Sequence, residues 1–379
     1  MMSASERGAS YLGAAIMMLA ACGGSDSFKT TGSPDAGGGG SGGTTSSGAG
    51  GPSSSGAPSD SSSSGSGTSS GAEGSSTAPS DASSPTTAPA SDASPDATAS
   101  NADAEMTVST GVLPPVTDPG ASGPFGIAET DNVGPGGNYT VIAPMPLGTN
   151  GVKNPILVWS PGAGANPALY KTLLDHIASH GFVVVSYNAT AQGSDMTAGI
   201  DWIVSQSTTQ GTQYYDKVDA SKIAAGGQSA GSLATYAIAN DARLTTTLHI
   251  NGGTFAPHTD VANLVKPAQF ICGDYPDGGD GLSMGDLARP NCDVDFQMTT
   301  APVWYGDVIG ASHTTIIDAI LGFGTPSTDP LKRPFLAATV AWLRWQLAGD
   351  LTMKAMFVGS SCGFCTQTST WQVQQKNLM

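Results

Sequence analysis

A serine between glycines at fixed spacing is the clearest chemical signal in this sequence. Gly227-Gln228-Ser229-Ala230-Gly231 fits the pattern G-x-S-x-G, in which a sharp turn raises a serine hydroxyl that can attack a carbonyl carbon. The pattern is weak alone in a chain with 51 glycines, and it recurs at residues 39–43, 67–71, 281–285 and 359–363. The secondary structure around each match must therefore decide which serine could be catalytic.

Of the five matches, only the one around Ser229 stands between a candidate strand and a candidate helix. Lys222–Ala225 is a short strand pattern, and residues 229–240 form a helical segment rich in small residues. Glycines beside the serine let strand and helix approach closely, and a helix start presents backbone N–H groups to a developing negative charge. Two other matches lie in low-complexity sequence, one in a Gly/Asp-rich loop and one around a cysteine pair. We therefore select Ser229 as the candidate nucleophile.

A serine hydroxyl needs a base to take its proton, and after such a turn the partners follow in the order serine, acid, histidine. His249 falls inside a strand pattern, where a packed and hydrogen-bonded imidazole is expected, and His258 follows a proline in a loop. His313, in the segment Gly310–Thr314, comes just after residues 302–305, the last strand that the pattern predicts. The histidine comes last in the order of the three partners and is expected after the last strand, so we predict that His313 is the base.

The elements that position these residues alternate between short apolar runs and helical patterns. Strands are predicted at 156–160, 182–185, 222–225, 248–250, 268–272 and 302–305. Helices are predicted from the Asn166-Pro167 start to Gly181, at 196–206, at 229–240 and at the amphipathic segment that Gly349 closes. Buried strands that alternate with helices form a parallel sheet, so the pattern indicates a doubly wound or hydrolase-type α/β sheet.

Composition divides the chain into two parts. From Cys22 to about Asn101 it consists almost entirely of Gly, Ser, Ala, Thr, Pro and Asp, with Phe28 as the one aromatic residue. Such a segment cannot bury enough apolar surface to offset its ordering entropy. We therefore predict a disordered linker at 22–105 and a single catalytic domain at 106–379, which is long enough for one sizeable core.

Charge limits the possible partners. The chain carries a formal charge of −16, shared evenly: 10 acidic and 2 basic residues up to Glu105, and 20 and 12 from Met106 onward. Because no basic stripe is present, we do not expect nucleic acid as a partner. We expect a monomer whose partner is its substrate.

The N-terminus has the features of an export signal. Residues 11–21 form an apolar run that is too short to span a membrane but fits the core of a signal peptide, which we place at 1–21. Leu19-Ala20-Ala21-Cys22 resembles the bacterial lipobox, in which the cysteine is lipidated and becomes the mature N-terminus. We expect a lipoprotein tethered at Cys22, with free secretion as the alternative, and no other contact with the membrane.

Four further cysteines are present, namely Cys272, Cys292, Cys362 and Cys365. An even number in an exported chain indicates disulfides. The last two form a CxxC pattern that could also be redox-active or bind zinc, but no thioredoxin-like context precedes it and no second CxxC completes a tetrahedral site. We predict the pairs Cys362–Cys365 and Cys272–Cys292.

Taken together, these features resemble the α/β-hydrolases of the polyesterase, cutinase and dienelactone-hydrolase kind, which include bacterial polyester hydrolases. The resemblance covers about residues 135–379. It rests on the final amphipathic helix and on four motifs: Pro161-Gly162-Ala163, Ser179–Val184, Gly227–Gly231 and Gly310–His313. It implies an α/β-hydrolase fold, a mostly parallel sheet with helices on both faces, and the hydrolysis of a carboxylic ester without metal or organic cofactor.

The resemblance also implies the remaining site residues. Such enzymes often carry an acid followed by a short Ala-Pro stretch, and the similar stretch in this chain begins at Asp286. Asp277 is the second candidate acid, because its spacing from Gly273 also fits. The implied oxyanion hole consists of the backbone N–H groups of Ala163 and Ala230.

The implied reaction has Ser229 attack the ester carbonyl while His313 moves the proton and Asp286 orients the imidazole. Two other functions use the same residues or the same fold. One is a peptidase or thioesterase with the same triad, and the other is a non-catalytic surface-binding domain on a hydrolase fold. A serine, an acid and a histidine in the required order favour an enzyme over a binding domain.

Overall fold

The computed structural model describes residues 111–274, 291–320 and 324–379. All of them belong to one of the two units into which the chain divides, the one that contains residues 106–379. The predicted signal peptide at 1–21, Cys22 and the predicted linker at 22–105 lie outside the described residues.

A mixed sheet of nine strands forms the centre of the described part of the chain. Its strands are β1 (Gly126–Val133), β2 (Tyr139–Met145), β3 (Asn154–Ser160), β4 (Val183–Tyr187), β5 (Val218–Gln228), β6 (Leu244–Ile250), β7 (Ala268–Gly273), β8 (Val303–Val308) and β9 (Trp371–Lys376). Their order across the sheet is β1-β2-β4-β3-β5-β6-β7-β8-β9. Strands β3 to β8 are parallel, whereas β1, β2 and β9 pair in antiparallel fashion at the two ends.

Six α-helices accompany the strands in the described ranges. They are α1 (Lys171–Ser179), α2 (Gly193–Thr208), α3 (Ala230–Ile238), α4 (Asn291–Met298), α5 (Lys332–Ala348) and the short α6 (Leu351–Lys354). The predicted start and stop signals of the helices are present. The side chain of Asn166 caps the turn before α1, and Gly181 (φ 100°) and Gly349 (φ 70°) have left-handed backbones after α1 and α5.

Helices cover both faces of the sheet. Successive residues of a strand point to opposite faces, and β3 shows this clearly. Leu157 and Trp159 pack in the core that contains α1 and α5, whereas Ile156 and Val158 pack in the core that contains α2 and α3. All four side chains are fully buried, which explains why a parallel strand appears in the sequence as a continuous apolar run. The predicted α/β-hydrolase fold is confirmed.

The edges of the sheet differ from the prediction. Strands β1, β2 and β9 were not expected, and β9 lies beyond His313, so the strand before His313 is not the last one in the chain. Most residues of β1 are exposed, and β9 has the polar sequence WQVQQK with only Trp371 buried. Edge strands such as β1 and β9 bury little side-chain surface, so they carry a weak hydrophobic pattern. This reason does not apply to β2, which lies between β1 and β4 and is buried at every residue except Met145.

Both predicted disulfides are present. Cys272–Cys292 joins the end of β7 to α4, and Cys362–Cys365 closes a turn after α6. Disulfides are typical of proteins that leave the reducing cytosol. Across the described ranges, no helix combines the length and the apolar character needed to cross a bilayer.

Candidate active site

Ser229 occupies the turn between the end of β5 and the start of α3. Its backbone has φ 54° and ψ −121°, outside the regions that non-glycine residues ordinarily adopt. The turn is held because the Ser229 N–H donates to the carbonyl of Ile250 at the end of β6, with an N···O distance of 3.0 Å. Strained residues of this kind persist only where the surrounding structure determines them, and they cluster at functional sites.

The two glycines of the motif are required by close backbone contacts. A Cβ atom at Gly231 would overlap the carbonyl oxygens of Ser160 and Pro161 at the end of β3, and a Cβ atom at Gly227 would overlap the carbonyl of Gly231. Helix α3 can therefore start directly beneath the loop that follows β3. Its first residue, Ala230, is thereby placed beside the turn that carries Ser229.

The structure brings His313 to Ser229. His313 lies in the loop after β8, and its Nε2 is 3.0 Å from Ser229 Oγ, although 84 positions separate the two residues. Both side chains are mostly buried, with exposed fractions of 8% for His313 and 1% for Ser229. At this distance a neutral imidazole can accept the hydroxyl proton.

Two buried amides hold the backbone of His313. Its carbonyl oxygen accepts hydrogen bonds from Gln228 Nε2 and from Asn251 Nδ2, both at 3.1 Å. Asn251 Oδ1 in turn accepts the N–H of Gly273 at 2.9 Å. The histidine loop is therefore tied to the ends of three neighbouring strands, β5, β6 and β7.

The loop after β3 carries a turn beside the serine. The Gly162 carbonyl accepts the N–H of Ala165 at 3.0 Å, and Gly164 has φ 69°, as in a type II turn with Ala163 at its second position. Among the described residues, the N–H groups of Ala163 and Ala230 donate to no protein acceptor. Both N–H groups are therefore available to a ligand.

A tyrosine connects this turn to Gln228, the residue before Ser229. The Gly162 N–H donates to the Tyr170 hydroxyl at 2.9 Å, and that hydroxyl donates to Gln228 Oε1 at 2.7 Å. Burial raises the pKa of Tyr170 well above its usual range, so the hydroxyl stays protonated and can donate. Gln228 is thus bound on one side to the turn and on the other to the histidine loop.

Both candidate acids, Asp286 and Asp277, lie outside the described residues, as does the G-x-S-x-G match at 281–285. The match at 359–363 is described. Its serine, Ser361, is exposed in the turn of the Cys362–Cys365 disulfide and stands between no strand and helix. Ser361 therefore lacks the surroundings that the motif requires.

The other histidines have structural partners. His249 is fully buried in β6, where Nδ1 lies 2.8 Å from Ser232 Oγ and Nε2 lies 3.0 Å from Thr247 Oγ1, as its strand position indicated. Burial lowers the pKa of His249 to about 3, which keeps the ring neutral. His258 Nδ1 is 3.0 Å from the buried carboxylate of Asp295. Burial raises the pKa of that carboxyl group.

Sequence reasoning did not single out Asn251, Thr190 or Tyr170 for the site. Asn251 is the residue directly after β6, and Thr190 follows β4 by three positions, so both stand where parallel strands end. That position is the one signal that could have marked them, because ligands of open α/β sheets bind outside the carboxyl ends of strands. Within the described ranges, no group of three or more His, Cys, Asp or Glu side chains could hold a metal ion.

The strand order, the serine on the turn after β5 and the histidine after β8 define an α/β-hydrolase. A family model described as PETase, PET hydrolase-like, matches residues 104–273. This match confirms the resemblance to α/β-hydrolases of the polyesterase and cutinase-like kind, and it supports a hydrolase of esters. No curated protein matches the chain.

Proposed function

We propose that this protein is a serine hydrolase that cleaves carboxylic esters through an acyl-enzyme intermediate. The observation that carries the proposal is the 3.0 Å distance between Ser229 Oγ and His313 Nε2 on a strained strand–helix turn. The match to the PET hydrolase-like family model supports an ester as the substrate.

In this proposal Ser229 attacks the ester carbonyl as His313 accepts the hydroxyl proton, and a carboxylate orients the imidazole. The imidazolium then protonates the leaving alcohol. Water, deprotonated by the same histidine, attacks the acyl-enzyme and releases the carboxylic acid. We assign the carboxylate to Asp286 and keep Asp277 as the alternative.

We assign the oxyanion hole to the N–H groups of Ala163 and Ala230. One lies in the turn after β3 and the other at the start of α3, where the helix dipole favours negative charge. Two donors that flank the serine would stabilise the tetrahedral intermediate. No metal or organic cofactor takes part in the proposed reaction.

The proposed substrates are esters on a polymer or another surface as well as soluble esters. Ala163 and Gly164 in the loop after β3 are small and at least partly exposed, so this loop places little side-chain bulk beside Ser229. We also propose that the protein is exported and monomeric. It would be anchored through a lipid on Cys22, and the linker 22–105 would carry the enzyme away from the membrane.

The decisive test compares Ser229→Ala with Ser361→Ala in the hydrolysis of a p-nitrophenyl ester. We expect Ser229→Ala to lose about 10⁴-fold or more in kcat. We expect Ser361→Ala, which removes the serine of a second G-x-S-x-G match, to keep the full rate. Labelling by a fluorophosphonate should disappear in Ser229→Ala alone, and a folded wild type without labelling or turnover would instead indicate a binding domain.

The acid is assigned by comparing Asp286→Asn with Asp277→Asn in the same assay. The variant of the triad acid should lose about 10⁴-fold in kcat because the imidazole loses its orienting partner, whereas the other variant should stay close to wild type. Parallel assays with a thioester and a peptide substrate distinguish the esterase from a thioesterase or peptidase. A higher kcat/KM for either substrate would replace the ester assignment.

A further inference from the structure

The oxyanion donor of Ala163 depends on the direction of a single peptide group. The Gly162–Ala163 peptide carries the Gly162 carbonyl on one side and the Ala163 N–H on the other. In a planar trans peptide these two bonds point in opposite directions. Whatever holds the Gly162 carbonyl therefore also aims the Ala163 N–H.

A threonine side chain holds that carbonyl. The Thr190 hydroxyl donates to Gly162 O at 2.6 Å, a short hydrogen bond that bridges 28 positions. Thr190 is partly buried, three residues beyond the end of β4, the strand that pairs with β3 in the sheet. The next residue strengthens the connection, because the Ala191 N–H donates to Ser160 Oγ at 3.0 Å.

The turn by itself restrains the Gly162–Ala163 peptide less than the turn and the Thr190 hydrogen bond do together. The Ala165 N–H also binds the Gly162 carbonyl, but that bond lies within a four-residue turn whose third residue is Gly164. A Cβ atom added at Gly164 would meet nothing within 4 Å, so no neighbouring group packs against the turn at that point. Glycine has the least sterically restricted backbone, so the Ala165 N–H that closes the turn is held only loosely. Thr190 anchors the carbonyl from a separate element, and a change within the turn would have to break that bond.

We propose that Thr190 is a positioning residue that aims the Ala163 N–H at the oxyanion of the tetrahedral intermediate. The hydrogen bond has a second effect, because a peptide whose carbonyl accepts a strong hydrogen bond becomes more polarised and its N–H becomes a better donor. The inference rests on the proposed function, in which Ser229 and the Ala163 N–H act on the same carbonyl group.

The test uses two substitutions at Thr190. Thr190→Val keeps the shape of the side chain and removes the hydroxyl, and Thr190→Ser keeps the hydroxyl. Loss of a whole oxyanion donor costs about 10²–10³-fold in kcat, so a misdirected donor should cost about 10- to 100-fold. We expect Thr190→Val to lose this factor in kcat with little change in KM, and Thr190→Ser to restore most of the rate.

The matched control is Thr212→Val. The Thr212 hydroxyl also donates to a backbone carbonyl, that of Gln206, at 2.6 Å, and it is also partly buried. It lies before β5, at the edge of the sheet opposite to the strand ends that carry Ser229. We expect Thr212→Val to keep the wild-type rate, so a loss confined to Thr190→Val cannot be a general effect of replacing a bonded threonine.

A transition-state analogue separates aiming from folding. A trifluoromethyl ketone forms a tetrahedral adduct with the serine, and its oxygen occupies the oxyanion position. For Thr190→Val its inhibition constant should rise by the same factor by which kcat/KM falls. Thr190→Ala, which places no methyl group against the carbonyl, should show the same pair of changes if Thr190→Val folds poorly.

Three results would overturn the inference: a Thr190→Val enzyme within about threefold of wild type, a loss of rate that appears in KM alone, or a Thr190→Ser enzyme no better than Thr190→Val. Ser229→Ala is measured alongside. If Ser229→Ala is inactive and Thr190→Val is fully active, only the role of Thr190 is wrong. If Ser229→Ala remains active, the proposed function itself is wrong.

Discussion

At the scale of single residues, the candidate site depends on side chains that bind the backbone of the residues beside the serine and the histidine. Asn251 and Gln228 hold the His313 carbonyl, and Tyr170 holds the Gly162 N–H. These bonds are buried, so water cannot replace a missing partner and each bond strongly restricts the loop that it holds. Uncharged amides and hydroxyls make these contacts without adding charge beside the imidazole.

His249 shows how a buried residue near this site affects stability. In the unfolded chain a histidine takes up a proton near pH 6.5, but burial lowers the pKa of His249 in the folded protein to about 3. Between these values the unfolded state binds more protons than the folded state. The contribution of His249 to stability is therefore complete above pH 6.5 and is lost as the pH falls towards 3.

We predict that His249→Gln flattens the pH dependence of stability. Between pH 7.5 and 4.5 the wild type should lose about 2 to 3 kcal/mol more unfolding free energy than the variant. In the wild type, the buried neutral ring costs roughly 1.36 kcal/mol of stability for each pH unit below 6.5, and the pH range covers about two such units. Urea unfolding at both pH values measures the difference. Equal losses in the two proteins would mean that the ring already binds a proton in the folded state.

At the scale of elements, the site depends on how closely α3 approaches the end of β3. Gly231 lies in the first turn of α3, and a side chain there would meet the Ser160 and Pro161 carbonyls. The same approach places Ala230 next to the loop that carries Ala163. The spacing of strand and helix therefore determines both the turn that carries Ser229 and the position of the proposed oxyanion donors.

We predict that Gly231→Ala lowers the unfolding free energy by about 1 to 3 kcal/mol or more, because the overlap with two backbone oxygens outweighs the gain in helix propensity. It should also lower kcat by pushing α3 away from β3. Thermal unfolding and the ester assay measure both effects.

Gly126→Ala is the control for this prediction, because a Cβ atom there meets only the Met145 carbonyl, at 3.6 Å. We expect it to change stability by less than about 0.5 kcal/mol. A Gly231→Ala protein as stable as Gly126→Ala would show that strand and helix can separate without cost.

At the scale of the whole molecule, the two disulfides close loops of very different length. Cys272–Cys292 has a sequence separation of 20 and connects the sheet to α4, whereas Cys362–Cys365 has a separation of 3. A longer closed loop removes more freedom from the unfolded chain. The longer loop also contains both candidate acids, Asp277 and Asp286.

We predict that replacing both Cys272 and Cys292 by alanine lowers the unfolding free energy by about 3 kcal/mol, and that replacing Cys362 and Cys365 costs roughly half as much. The first change should also reduce kcat, because the segment that carries both candidate acids loses one of its attachments. Guanidinium unfolding and the ester assay measure these effects. A larger loss from the short pair than from the long pair would contradict the loop-closure argument.

Much of this protein follows from its sequence alone. Continuous apolar runs such as the one in β3, and helical spacing such as that of α5, predicted a parallel α/β sheet because burial on both faces leaves a pattern that is local in sequence. The glycines around Ser229 indicated the turn for the same reason, since the steric need of a tight bend is local. The two disulfide pairs were also predicted correctly.

Tertiary structure alone decided which distant residues meet. The strand β9 has too little buried surface to mark it in the sequence, and the bonds Thr190–Gly162 and Asn251–His313 join positions 28 and 62 residues apart. A polar side chain that binds a remote backbone group looks, in sequence, like any other polar loop residue. Its partner is determined by the order in which strands lie in the sheet, because that order brings the carboxyl ends of β3, β4, β5, β6 and β7 to one edge.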